Sequence, residues 1–151
     1  MHGKMMVILF LTALSPVAGG MPAVASDWAV WAVDPLVKVF QDATPATGQT
    51  ALAEVARGEH ASLQVVIRSE AALKDLKAHV SDFRMEGGGG ALRPIAPRFV
   101  GYVPVDRPTQ LPSKDQLRLP PADYPDPLLA APSIEVAAAQ AQPIWITVAV
   151  P

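Results

Sequence analysis

The prolines of this chain constrain its fold more than any other residue type. There are 16 of them in 151 residues, and seven fall within the stretch from Pro108 to Pro132. A proline has no main-chain N–H to donate, and inside a helix it costs about 3 kcal/mol or more. This number and spacing of prolines exclude a helix bundle, and the stretch that contains seven of them is predicted to be a long irregular loop.

Short runs between the prolines alternate apolar and polar residues, which is typical of β-strands with one buried face. The pattern predicts extended segments over residues 27–33, 38–40, 50–56, 62–68, 76–80, 95–105 and 142–150. Residues 57–59 should form a turn that joins 50–56 and 62–68 as a hairpin. Residues 70–76 are ambiguous between a loop and a short helical turn. We therefore predict an all-β protein, an antiparallel β-sandwich of the immunoglobulin-like or jelly-roll-like kind.

The final run, which extends from Gln142 to Pro151, has no closing turn, charge cluster or polar tail. Because a strand needs a neighbour for its main-chain groups, this ending suggests a sandwich truncated at its C-terminal strands.

The first 25 residues have the features of an export signal. A weakly basic start precedes a ten-residue stretch, 5–14, that is apolar except for Thr12, and Ala23-Val24-Ala25 supplies the small residues that a signal peptidase reads. A membrane-spanning helix needs about 20 apolar residues, so we expect cleavage after Ala25 rather than an uncleaved anchor. Residues 26–151 would then form one periplasmic or extracellular domain without a membrane span.

Charge excludes one class of partner. The formal net charge is −2, and neither Lys nor Arg clusters into a stripe that could follow phosphates, which argues against nucleic acid. The tetraglycine at residues 87–90 lacks the Lys-Ser/Thr pair of a phosphate loop and is predicted to be a flexible connection. We predict no cofactor and no metal site, although Asp123 and Asp126 leave calcium open as an alternative to turn capping.

Three residues around the predicted turn have structural rather than catalytic roles in our interpretation. Glu59 can pair with Arg57 or accept main-chain N–H groups of the turn. Gln64, if it points inward, must find hydrogen-bond partners or cost a few kcal/mol.

Aromatic residues are the candidates for contact with a polysaccharide or other glycan, because their faces suit the C–H face of a sugar. Trp28, Trp31 and Tyr124 are the proposed contacts, whereas Trp145, between two isoleucines, is predicted to lie in the core.

Five segments in order resemble the N-terminal β-sandwich domain of glycoside hydrolase family 123 and of related exported bacterial proteins of unknown function. They are WAVDPLVKVF (31–40), ARGEHASLQVV (56–66), VGYV (100–103), PDPLL (125–129, with Asp126) and QPIWITV (142–148). The resemblance implies that a barrel-type domain follows the sandwich and removes β-linked N-acetylgalactosamine by a substrate-assisted mechanism.

The catalytic carboxylates of that family have no counterpart in this chain, since no two of its 14 acidic residues are adjacent. The chain also ends before the Gly-Tyr-x-Gly turn with which the family's sandwich continues. Three hypotheses follow: a non-catalytic domain that supports a downstream catalytic domain of the same polypeptide, a stand-alone carbohydrate-binding or interaction module, or a truncated non-functional fragment.

Overall fold

The computed structural model describes residues 28–46, 51–84, 91–108, 114 and 116–151. In this part of the chain there are nine strands and no helix, and nothing in it forms a helix able to cross a bilayer. The strands are β1 (Trp28–Val33), β2 (His60–Ser69), β3 (Leu73–Leu76), β4 (Phe83–Arg84), β5 (Ala91–Leu92), β6 (Pro94–Val105), β7 (Ala122–Leu129), β8 (Ile134–Val136) and β9 (Ala141–Ala149).

Five strands form one sheet in the order β1-β2-β9-β6-β7, and every neighbouring pair is antiparallel. Two antiparallel ribbons, β3–β8 and β4–β5, lie outside it. Each ribbon packs against the sheet through its own apolar cluster. The predicted all-β, antiparallel fold is confirmed, and its layers are those of a sandwich-like protein.

Alternation in β2 and β9 produces the main core, because successive side chains of a strand point to opposite faces. Leu63 and Val65 of β2 share one face with Ile146 and Val148 of β9, and Phe83 of the β4–β5 ribbon covers them. Further along the same face, another buried cluster unites Ile67, Phe99 and Ile144 with residues of the β3–β8 ribbon.

The opposite face of the sheet is covered by a segment without regular structure, residues 34–46, which we call the strap. Val39 of the strap is buried with Trp31, Val66 and Ala141 beneath it. The strap replaces the strand that the sequence predicts over residues 38–40.

Residues 51–56 do not form the predicted hairpin with β2. Ala51, Ala53 and Val55 pack on the core, but both edges of β2 are already occupied, by β1 and by β9. The predicted turn exists, with Gly58 at φ 81°, yet Gly58 N–H donates to Val150 O over 2.8 Å. The turn therefore contacts the end of β9, and the alternation of 51–56 reflects burial alone.

The predicted last strand exists as β9, which lies between β2 and β6. Two other predictions about strands are wrong. Residues 77–80, predicted to be extended as part of 76–80, form no strand, because β3 ends at Leu76. The proline-rich stretch is not irregular throughout, because it contains β7, an edge strand in which Pro125 and Pro127 stand at alternate positions. An edge strand tolerates proline, since one of its sides makes no ladder.

The ambiguous stretch 70–76 contains a strand, β3, with Asp75 at φ 55°, and no helix. The export signal and the tetraglycine lie outside the described residues, so both stay predictions.

Candidate functional site

Gln64 of β2 holds the beginning of the strap. Its side chain is buried, and Nε2 donates to Asp34 O over 3.2 Å and to Val37 O over 3.0 Å. Asp34 shapes the same turn, since its Oδ1 accepts from Leu36 N–H at 2.8 Å. A buried amide that satisfies two carbonyl groups fixes the chain that carries them.

The rest of the strap is held by three further donors, on β6, on β9 and at the end of β2. Tyr102 Oη of β6 lies 3.1 Å from Val39 O, Ala141 N–H of β9 donates to Gln41 O over 2.8 Å, and Arg68 Nη1 of β2 donates to Ala43 O over 3.1 Å. The strap has no ladder of its own, so these donors from the sheet satisfy its carbonyl groups instead.

Arg118 contacts the outer side of the strap through Asp42 and Phe40. Its Nη2 lies 2.8 Å from Asp42 Oδ1 and 3.0 Å from Oδ2, and its guanidinium carbon lies 4.0 Å from the centre of the Phe40 ring. Tyr124 packs edge-on against the same ring with centroids 5.4 Å apart, and its hydroxyl donates to Arg118 O. The hydrogen bond from Arg118 lowers the pKa of the Asp42 carboxyl.

A second ion pair joins the strap to β7. Lys38 Nζ donates to Pro125 O over 3.0 Å and lies 3.3 Å from Asp126 Oδ1. Because both charged side chains are well exposed, the pair adds little to stability.

Beside the strap, β6 and β9 separate after the Phe99–Ile144 pair. Gln142 Nε2 donates to Val100 O over 2.9 Å and lies 2.8 Å from Pro143 O. The Tyr102 hydroxyl is also 3.2 Å from Ala141 O, and burial raises its pKa. Side chains of Gln142 and Tyr102 therefore make hydrogen bonds where the main-chain pairing of β6 and β9 has ended.

A groove of about 640 Å³ lies between the strap on one side and β1, residues 51–52 and Arg118 on the other. Its lining is mostly apolar and includes Trp31, Val37, Phe40, Leu52 and Arg118. The strap residues thus form both a cover for the sheet and one wall of a surface depression.

The three aromatic residues proposed for glycan contact do not share a surface. Trp31 is only 6% exposed and packs beneath the strap, whereas Trp28 packs on the opposite face of the sheet. Tyr124 is half-buried against Phe40. Trp145, predicted to lie in the core, is half-buried instead. A saccharide therefore meets no row of rings formed by these residues.

The predicted residues of the turn are far less buried than Gln64. Arg57 is exposed in the turn, and Glu59 Oε2 accepts from Ala56 N–H over 3.3 Å. Asp126 lies on β7 beside Lys38.

Among the described residues, no three His, Asp or Glu side chains come together as a group that could hold a metal ion.

Sequence reasoning missed Asp42, Phe40 and Arg118, which meet only in the folded chain. Arg118 and Asp42 are 76 residues apart, so local patterns contain no signal for their pairing. Gln142 had one usable signal, a polar residue at the start of an apolar strand and directly before a proline.

No curated protein matches this chain closely enough to count as a relative. A family model does match: the glycoside hydrolase 123 N-terminal domain, over residues 37–151. The matched range contains β2 to β9 and the strap from Val37 onward, and β1 lies before it. The chain therefore belongs to the glycoside hydrolase 123 N-terminal domain family.

Proposed function

We propose that this chain is a non-catalytic domain of an exported glycoside hydrolase, and that it supports a catalytic domain that follows it in the same polypeptide. The family match supports a glycosidase context, because the matching model describes an N-terminal domain. The observation that carries the non-catalytic role is that polar side chains of the sheet serve the packing of the domain itself: those of Gln64, Arg68 and Tyr102 hydrogen-bond to main-chain carbonyl groups of the strap.

Four carboxylates with contacts inside the domain fit the same role. A general acid needs a raised pKa, whereas hydrogen bonds lower the pKa of Asp42, through Arg118, and of Asp75, through Lys77 and Ser133. Asp34 and Glu59 accept main-chain N–H groups in turns. These four carboxylates stabilise local structure.

The alternative of a stand-alone carbohydrate-binding module needs an exposed aromatic platform. The burial of Trp31 and the position of Trp28 on the opposite face give that alternative no support. The family match supports the proposed accessory domain instead.

Hydrolysis of a chromogenic aryl N-acetyl-β-galactosaminide tests the proposal. We expect the complete polypeptide encoded by the gene to hydrolyse it, and the 151-residue chain to give no rate above buffer. A rate that rises in proportion to the concentration of the 151-residue chain would overturn the non-catalytic role.

Titration calorimetry of the chain with N-acetylgalactosamine tests the binding alternative. We expect no saturable heat; saturable binding would favour the carbohydrate-binding module and contradict the proposal.

Export is tested separately by sequencing the N-terminus of the mature protein from the periplasm or medium. Cleavage after Ala25 gives a chain that starts at Ser26, and a mature protein that keeps Met1 would contradict export by this signal.

A further inference from the structure

The five-stranded sheet ends in two edges of different character. β7, at one end, carries Asp123, Pro125, Asp126 and Pro127. Prolines and charges are the usual means by which an edge strand avoids pairing with another chain. β1, at the other end, reads Trp-Ala-Val-Trp-Ala-Val and contains no proline, glycine or charged residue. β1 is therefore the edge that can accept a further strand.

The main chain of β1 is paired on one side. All six of its residues pair with β2 in an unbroken antiparallel register, from Trp28 opposite Ser69 to Val33 opposite Gln64. In the part of the chain that the structure describes, no other main-chain segment forms a hydrogen bond with β1. Main-chain N–H and C=O groups need partners, and on the outer side of β1 another β-strand can supply them.

Both faces of β1 are covered, which limits what can be added to it. Trp31 is buried beneath the strap, with Ala29 and Val33 beside it, and Trp28 packs in the apolar cluster on the opposite face. Val30 is 37% exposed. An extended strand that lies beside β1 fits this arrangement, whereas a globular surface placed on either face does not.

The sequence of β1 is complementary to itself. Two copies that pair antiparallel about a two-fold axis perpendicular to the sheet place residues of the same face opposite each other. With Val30 on the axis, Trp28 stands opposite Ala32 of the second copy, and Trp31 stands opposite Ala29 of the second copy. Each bulky ring then meets a small side chain, and no like charges meet, because β1 carries none.

We propose that β1 is a dimerisation edge, through which two copies of this chain join their five-stranded sheets into one continuous sheet. The occupant of the edge is β1 of the second copy. A single strand pair makes a small interface, and small interfaces are typical of dimers that exchange with monomers. The proposed non-catalytic role does not depend on this dimer.

Disulfide trapping tests the register. The 151 residues contain no cysteine, so a cysteine introduced into this domain has no partner within it. Val30→Cys places two thiols directly opposite each other across the axis, within reach of a disulfide. Leu128→Cys is the matched control, because Leu128 lies on the other edge strand and is exposed to a similar extent, 39%.

We expect mild oxidation of the complete polypeptide to convert most of the Val30→Cys variant into a covalent dimer on a non-reducing gel. The Leu128→Cys variant and the wild type should stay as they were. Equal crosslinking of the two variants would reflect random collision and would overturn the dimerisation edge.

Light scattering over a range of concentrations tests the dimer without a crosslink. Val30→Arg sets two like charges opposite each other, so we expect it to raise the concentration at which half of the chains are dimeric by about tenfold or more. Leu128→Arg should leave that concentration unchanged, and near-ultraviolet circular dichroism confirms that each variant is folded.

A dimer that Val30→Arg leaves intact would overturn the inference, and so would a wild type that stays monomeric at every concentration. Protection of the β1 amides from exchange in such a monomer would show that a segment of the same polypeptide occupies the edge.

Discussion

The side-chain amide of Gln142 donates to the carbonyl oxygen of Val100 across 2.9 Å, at a point where β9 and β6 no longer pair through their main chains. Pro143, the next residue, lies inside β9 and has no N–H to contribute. A proline between two neighbouring strands is unusual, and it is accommodated here because a side chain supplies a hydrogen-bond donor to the adjacent strand.

Replacement of this amide should loosen the centre of the sheet. We expect Gln142→Leu to reduce the free energy of unfolding by about 1–3 kcal/mol, because Val100 O is left buried without its donor. Amide exchange at Phe99 and Ile144 should accelerate, as measured by mass spectrometry. Unchanged exchange and an unchanged urea midpoint would show that the bond is dispensable.

Gln64→Leu tests the attachment of the strap. The substitution removes the donor to Asp34 O and Val37 O, so we expect a loss of about 2 kcal/mol in urea denaturation. The control is Gln140→Leu, a half-buried glutamine outside the strap, with an effect below about 0.5 kcal/mol. Equal effects of the two substitutions would contradict the role of Gln64.

Gly101 of β6 allows β7 to pack closely. A Cβ at this position would lie 3.0 Å from Pro127 Cγ and 3.1 Å from Leu129 Cδ1. We expect Gly101→Ala to cost about 1–3 kcal/mol through overpacking. In a double-mutant cycle, Leu129→Ala should recover part of that cost, because it removes one of the clashing groups; additive effects would place the strain elsewhere.

The pair between Asp42 and Arg118 should depend on pH in a defined direction. The folded state lowers the pKa of Asp42 below its ordinary value of 3.8, so the pair adds stability above that pH and loses it as the pH falls further. The contribution is small, because the carboxylate is 69% exposed and screened by water and salt.

Urea denaturation of the wild type and of Asp42→Asn measures this contribution. We expect the difference in the free energy of unfolding to be constant above about pH 5 and to vanish as the pH falls below the lowered pKa. High salt should reduce the difference. A difference that persists unchanged at low pH would mean that Asp42 acts through something other than its charge.

The alternation of apolar and polar residues was sufficient to predict the strands β1, β2, β6 and β9. It was not sufficient for residues 51–56, whose apolar residues are packed on the core as in a strand. Side-chain alternation reports which face is buried, whereas a ladder also requires a free strand edge. β1 and β9 already occupy the edges of β2, and that competition is decided by the tertiary structure.

The course of the strap and its contacts with Arg118 could not be predicted from the sequence, for a related reason. Irregular segments have no period, and each contact joins residues far apart, such as Gln64 with Val37 or Arg118 with Asp42. The chemistry of one partner was still readable: a glutamine within an apolar strand must satisfy its amide once buried. The identity of its acceptors followed only from the fold.

The most direct test of the account is the coding sequence downstream of the codon for Pro151. We expect the reading frame to continue through a Gly-Tyr-x-Gly turn into a region of alternating strands and helices with adjacent acidic residues. A stop codon directly after Pro151 would contradict it, because this domain would then have no catalytic domain to support.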